Sequence, residues 1–105
     1  MKKVILLCNA GMSSSLMAKK VSEYFVSNGT DIKVDATTTA NSEEVFENKD
    51  YDMILVSPQV RMLYEEYKAK AVETGKKIAQ VTVDAYSPTL NGVKKMADLI
   101  LSSNM

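Results

Sequence analysis

The stretch VILLCNAGMSSS, residues 4–15, decides the fold that the sequence predicts. Its first four residues form a continuous apolar run, which is typical of a strand buried on both faces of a parallel sheet. Gly11 permits a tight turn after that strand, and the three serines that follow it favour the start of a helix. A strand, a small-residue loop and a helix start in immediate succession predict an anion-binding βα unit.

The alternation of strand and helix patterns continues along the chain. Residues 32–37 alternate apolar and polar side chains, which indicates an edge strand, whereas residues 52–56 are almost entirely apolar and indicate a central one. Asn41 with Glu44 has the spacing of a capping box that opens a helix ending at about residue 47. The predicted strands cover residues 3–7, 32–37, 52–56 and 77–83, and the first predicted helix begins near Ser13 or Ser14.

This βαβαβαβα order predicts an α/β fold of the flavodoxin-like type. The expected architecture is a four-stranded parallel sheet of order 2-1-3-4 with helices on both faces. Ligands of such sheets bind beyond the carboxyl ends of the strands, at the switch point between strands 1 and 3. We therefore expect the loops that begin at Cys8 and Ser57 to meet at the functional site.

Composition excludes several functional classes. The 105 residues predict one domain, 1–105, and 13 basic against 13 acidic residues argue against nucleic acid or an acidic lipid surface as a partner. The apolar runs are too short for membrane insertion, and the single cysteine rules out an internal disulfide, which favours a cytoplasmic location. Without histidine, most zinc sites and histidine catalysis are excluded. We expect no metal, no cofactor and a monomer.

Cys8 is the candidate nucleophile because it lies between the predicted strand and the predicted helix start. A helix N-terminus favours the thiolate form of a cysteine, and the thiolate is the reactive form. This chemistry requires a thiol that a partner can reach; a buried cysteine packing as a small apolar residue is the alternative. The predicted phosphate-binding loop comprises Asn9, Ala10, Gly11, Met12, Ser13, Ser14 and Ser15, and the possible accessory residues are Gln59, Asp84 and Tyr86.

Low-molecular-weight tyrosine phosphatases, and the arsenate reductases related to them, share this strand–cysteine–loop–helix arrangement. In those enzymes an arginine stands six residues after the cysteine, where this chain has Ser14. Bidentate guanidinium contacts are a main electrostatic support for phosphoryl transfer. The absence of the arginine argues against a fast phosphatase.

The loop Cys8-Asn9-Ala10-Gly11-Met12-Ser13-Ser14-Ser15 instead resembles that of the IIB components of sugar phosphotransferase systems, in the lactose/cellobiose/chitobiose class. The segment Pro58-Gln59-Val60, followed by Met62-Leu63, is also similar to the motif of that class after strand 3. The resemblance covers essentially the whole chain. Two departures are Ser57, where a glycine is common, and Tyr86-Ser87-Pro88, where tyrosine–glycine is usual.

The resemblance implies a phosphotransferase relay. Cys8 would accept a phosphoryl group from a phosphohistidine of a IIA protein and pass it to a sugar bound by the membrane component IIC. The implied sugar is a β-linked disaccharide such as cellobiose, chitobiose or lactose. Two alternatives remain: a phosphatase- or arsenate-reductase-like enzyme with Asp84 as general acid, and a redox or signalling module in which Cys8 is oxidised.

Overall fold

The structure, a computed structural model, describes residues 2–9, 11–87 and 89–104, with the side chains of 11–14, 103 and 104 left out. It forms one parallel sheet of four strands in the order β2-β1-β3-β4, which confirms the predicted topology. A helix follows each strand in the chain. The bounds are β1 Lys2–Cys8, α1 Gly11–Ser27, β2 Ile32–Thr38, α2 Ser42–Glu47, β3 Met53–Val56, α3 Tyr64–Thr74, β4 Lys77–Gln80 and α4 Leu90–Asn104.

The two central strands separate the core into two apolar clusters. Val4 and Leu6 of β1 face the cluster that α1 and α4 cover, whereas Ile5 and Leu7 face the cluster that α2 and α3 cover. All four β3 residues are also buried. Burial on both faces is the reason that the predicted central strands have continuous apolar runs rather than alternation.

The edge position of β2 is confirmed, and a side chain of α1 protects it. The hydroxyl of Ser22 donates to the Val34 carbonyl at 3.0 Å and accepts the Val34 N–H at 2.9 Å. These two hydrogen bonds occupy polar backbone groups that an edge strand would otherwise expose to another chain.

Asn28-Gly29 and Thr74-Gly75 are helix stop signals in the sequence, and two helices end there, whereas the first helix starts earlier than predicted. Gly29 and Gly75 adopt left-handed backbone angles, with φ of 70° and 71°, just after α1 and α3. However, α1 begins at Gly11, before the predicted serines, and β4 ends at Gln80 rather than at residue 83. The loop into α1 is therefore shorter than predicted.

The predicted capping box at α2 is wrong in its hydrogen bond. Asn41 is the N-cap residue of that helix, but its side chain makes no capping bond. Its amide nitrogen instead donates to Thr37 Oγ1 at 2.9 Å, at the end of β2. A local contact backward along the chain, to a residue four positions earlier, has replaced the predicted forward one.

Gly92 lets α4 pack closely against the segment that precedes it. A Cβ atom at this position would overlap the carbonyl oxygen of Ser87, which is part of the backbone and cannot rotate away. We expect Gly92→Ala to lower the free energy of unfolding by about 1–3 kcal/mol, in the range of other overpacked sites. Urea unfolding measures the change. Asn91→Ala, an exposed substitution one residue earlier, is the control; equal stability of the two variants would contradict the prediction.

No helix in the described part of the chain is long and apolar enough to cross a membrane.

Candidate functional site

The carboxyl ends of β1 and β3 bring Cys8 and Ser57 next to each other. Leu7 pairs with Val56 in the parallel register, and the Ser57 N–H donates to the Leu7 carbonyl at 3.0 Å. One further residue along each strand therefore places Ser57 beside Cys8. This is the switch point of the sheet, where the topology predicts a site.

Cys8 is the last residue of β1, and its exposed fraction is 0%. The expectation of a reachable thiol is therefore wrong for this structure. The physical reason is that β1 extends one residue further than predicted, so that Cys8 is still paired with Thr38 on β2. Moreover, α1 begins only three residues later, at Gly11, and covers the same face of the sheet.

The predicted phosphate loop joins β1 to α1. Asn9 lies exposed in a bend, and Ala10 lies outside the described residues. The backbone from Gly11 onward is helical, but the side chains of Met12, Ser13 and Ser14 lie outside the description, whereas Ser15 is exposed. The first-turn N–H groups of a helix lack intrahelical acceptors. In α1 these donors follow Cys8 directly in the chain, as an anion-binding loop requires.

Two polar side chains at the carboxyl ends of β3 and β4, the buried Ser57 and the half-buried Gln80, were not among the predicted site residues. Ser57 has an exposed fraction of 0%, and its hydroxyl has no hydrogen-bond partner. Gln80, at the end of β4, donates through Nε2 to the carbonyls of Val56 at 3.0 Å and Ser57 at 3.3 Å. The sequence signal at Ser57 was that this chain has a serine where the resembling family commonly has a glycine. The signal at Gln80 was that a polar residue ends an otherwise apolar strand.

The three possible accessory residues occupy different environments near this end of the sheet. Gln59 is exposed in a short 3-10 helix, Pro58–Leu63, that follows β3. Tyr86 is half-buried and packs against the cluster under α1 and α4. Asp84 is exposed, and Lys95 Nζ of α4 donates to its Oδ2 at 2.7 Å. This ion pair links the loop after β4 to α4.

The Asp84 ion pair predicts a pH-dependent stability. Hydrogen bonds from Lys95 and Thr82 lower the pKa of the Asp84 carboxyl from 3.8 to about 2. A pKa that is lower in the folded state contributes stability above the unfolded value, and this contribution is lost as the pH falls from about 4 to about 2. We expect Lys95→Met to raise the Asp84 pKa toward its ordinary value, as measured by NMR titration of the carboxyl carbon. The exposed neighbour variant Lys94→Met is the control, and an equal rise in both variants would contradict the specific pairing.

An open groove of about 660 Å³ lies beside the site rather than on it. It runs along the edge strand β2, and its lining includes Ser15, Lys19, Thr37 and Tyr51 but not Cys8.

Among the residues that the structure describes, no three or more cysteine, aspartate or glutamate side chains lie close enough together to hold a metal ion. The site therefore consists of a buried thiol, helix N–H donors and a neighbouring buried hydroxyl.

Comparison with known proteins gives one family and several relatives. A family model described as "PTS system, Lactose/Cellobiose specific IIB subunit" matches residues 3–98. An oligo-beta-mannoside-specific EIIB component of Bacillus subtilis is 30% identical over 86 residues, which are 82% of each chain. A galactose-specific and a cellobiose-specific EIIB component, both of Lactococcus lactis, are each 29% identical over 99 residues, or 91% of each chain.

Two solved structures are similar to the chain over nearly its whole length. The lactose-specific IIB component domain of Streptococcus pneumoniae superposes with a TM-score of 0.81, covering 99% of this chain and 98% of that one. At 23% sequence identity this likeness shows the fold. A cellobiose-specific phosphotransferase IIB component of Borrelia burgdorferi superposes with a TM-score of 0.69 at 25% identity, covering 98% and 92%.

Proposed function

This chain belongs to the lactose/cellobiose-specific IIB subunit family of the sugar phosphotransferase system, and we propose that Cys8 is the residue that carries its phosphoryl group. The chain is thus a IIB component for lactose/cellobiose-type sugars. In the proposed relay a IIA protein is the donor, and a sugar bound by the IIC permease is the acceptor. The proposed sugar is a β-linked disaccharide such as cellobiose, chitobiose or lactose.

One observation carries the proposal: the only cysteine of the chain lies at the switch point of the sheet, three residues before the N-terminus of α1. The first-turn N–H groups of α1, which can stabilise negative charge, therefore follow the thiol within a few residues of the chain. The chain has no histidine that could hold the group instead. The predicted loop residues, from Asn9 to Ser15, are the proposed ligands of the phosphoryl oxygens.

The proposed transfer consists of two displacements at phosphorus. The Cys8 thiolate attacks the phosphohistidine of IIA, so that an S–P bond forms, the N–P bond breaks and the imidazole leaves. A sugar hydroxyl then attacks the phosphocysteine; an O–P bond forms, the S–P bond breaks, and the hydroxyl proton passes to solvent. Positioning and electrostatic stabilisation supply most of the catalysis in such transfers. Since the thiol is buried, each transfer also requires a movement that uncovers the sulfur.

Apolar side chains around the site favour docking of the two partners at this end of the sheet. Three large apolar residues are exposed on segments that follow the carboxyl ends of strands: Leu16, Met62 and Val83. Gln59 is exposed on the same segment as Met62 and adds an amide to this surface. Because both partners must reach one sulfur atom, we propose that IIA and IIC occupy this surface alternately.

The state of Asp84 argues against the phosphatase alternative. With a pKa of about 2, this carboxyl is ionised at neutral pH and has no proton to give to a leaving group. The arginine that phosphatases use is replaced by Ser14. Both observations favour a carrier that holds its phosphoryl group over an enzyme that hydrolyses it.

The test is incubation with a phosphorylated IIA protein, followed by intact-mass measurement. We expect the mass of one phosphoryl group to be added and then lost when a IIC permease and its sugar are supplied. Aryl phosphate turnover without these partners would support the phosphatase instead, and a mass gain of oxygen atoms alone would support the redox module. A screen of permeases and sugars then identifies the acceptor.

A further inference from the structure

A buried hydroxyl with no partner lies beside the proposed nucleophile. Ser57 is fully buried, and its Oγ makes no hydrogen bond. Native proteins satisfy nearly all buried polar atoms, because an unpaired one loses its hydrogen bonds to water without replacement. An unpaired hydroxyl at the switch point of the sheet therefore indicates a partner that is absent in the resting state.

Register and strand alternation place this hydroxyl on the same face as the Cys8 thiol. Met53 and Leu55 belong to the cluster under α1 and α4, whereas Ile54 and Val56 belong to the opposite cluster. Ser57 has extended backbone angles, φ −69° and ψ 157°, so the alternation continues and its side chain shares the face of Leu55. Cys8 shares the face of Val4 and Leu6 by the same rule.

The sulfur is the acceptor that shares a face with the Ser57 hydroxyl. The other unpaired buried atom, Gln80 Oε1, belongs to a side chain paired in register with Val56, on the opposite face. In the continued register Cys8 lies beside Ser57 on β1, and Val81, which is apolar and buried, lies on the other side. Neighbouring strands are about 4.8 Å apart, so a rotation of either side chain brings hydroxyl and sulfur within hydrogen-bond reach. The Gln80 amide donates to the Ser57 carbonyl and keeps this backbone in place.

We infer that the Ser57 hydroxyl donates a hydrogen bond to the Cys8 sulfur when the thiol ionises, and so stabilises the nucleophilic thiolate. The step is loss of the thiol proton to solvent; the hydroxyl proton remains on Ser57. A neutral thiol is a weak acceptor, which explains why the hydroxyl is unpaired in the resting structure. This inference rests on the proposed role of Cys8 as a nucleophile.

The test is a pH titration of the ultraviolet absorbance of the thiolate, which reports Cys8 alone because the chain has one cysteine. The Cys8→Ser variant supplies the tyrosine background. We expect Ser57→Ala to move the ionisation midpoint upward by roughly one to two pH units, since hydrogen bonds to charged groups have that strength. Ser57→Thr, which keeps the hydroxyl, returns the midpoint most of the way. If the extra methyl group of Ser57→Thr prevents folding, Ser57→Gly is the second variant. Its ionisation midpoint should rise as much as that of Ser57→Ala, because both lack the hydroxyl.

An unchanged midpoint in natively folded Ser57→Ala overturns the inference. A merely structural role predicts a different pattern, in which the thermal unfolding midpoint falls while the ionisation midpoint stays constant. We expect the ionisation midpoint of Cys8 to rise and the thermal unfolding midpoint to stay equal or rise, because removing an unpaired buried hydroxyl does not lower stability. The titration needs no partner protein. A shifted midpoint without phosphoryl uptake from IIA therefore overturns the proposed function and leaves the hydrogen bond in place.

Discussion

We expect Cys8→Ser to abolish phosphoryl uptake from a phosphorylated IIA protein, so that the intact mass of the variant stays at the unmodified value. The physical reason is that a serine hydroxyl stays protonated at neutral pH, and this chain has no histidine to remove its proton. The substitution changes the size of the side chain little, but it places a hydroxyl at a buried position, which costs about 1–3 kcal/mol if the hydroxyl finds no partner. Circular dichroism before the assay checks that the variant is folded.

A second variant tests whether the thiol of Cys8, and not another group near it, accepts the phosphoryl group. Cys8→Ala removes both sulfur and oxygen, so equal loss in the two variants assigns the acceptor to the thiol itself. A phosphoryl group found on the Cys8→Ser variant would contradict the proposal unless peptide mapping places it on the new serine. A group found elsewhere in the chain would mean that Cys8 is structural.

Leu6→Ala costs about 2–5 kcal/mol of the free energy of unfolding, the range for large-to-small core substitutions. Leu6 lies in the middle of β1 with an exposed fraction of 0%, and it belongs to the apolar cluster that α1 and α4 cover. Its loss removes apolar burial and leaves a cavity that the central strand cannot close. Total stabilities of about 5–15 kcal/mol make this a large fraction of the whole.

Leu90→Ala is the matched control, because it makes the same chemical change at a residue with an exposed fraction of 77%. We expect its unfolding free energy to stay within about 0.5 kcal/mol of the unchanged chain. Urea unfolding of both variants measures the difference. Similar losses at the two positions would contradict the prediction.

The elements that sequence patterns predicted well are those in which local and tertiary preferences agree. The apolar stripe of α4, for example, places Val93, Met96, Ala97 and Ile100 in the core, as its helical spacing indicates. Gly29 and Gly75 end helices in the conformation that glycine favours. Where another hydrogen-bond partner competes for the same side chain, as Thr37 does at Asn41, the predicted capping bond is wrong.

Part of the candidate site could be predicted from the sequence, and part of it could not. The position of Cys8 after an apolar strand and before Gly11 was sufficient to nominate it, because that chemistry depends on neighbours in the chain. Its burial was not foreseeable, since it depends on how far β1 extends beside β2 and where α1 lies. Ser57 was marked as unusual, but only the register with β1 places it beside the sulfur.

The amino-acid sequence by itself determined the order of elements, the strand order and the identity of the nucleophile candidate, because periodicity and neighbouring residues are properties of the chain. Tertiary structure alone decided which groups meet between elements: the pairing of Asp84 with Lys95, the close approach of Gly92 to Ser87, and the burial of the Ser57 hydroxyl. The physical reason is that burial and hydrogen bonding depend on how the helices, strands and loops pack against one another. Packing of the whole chain sets those distances.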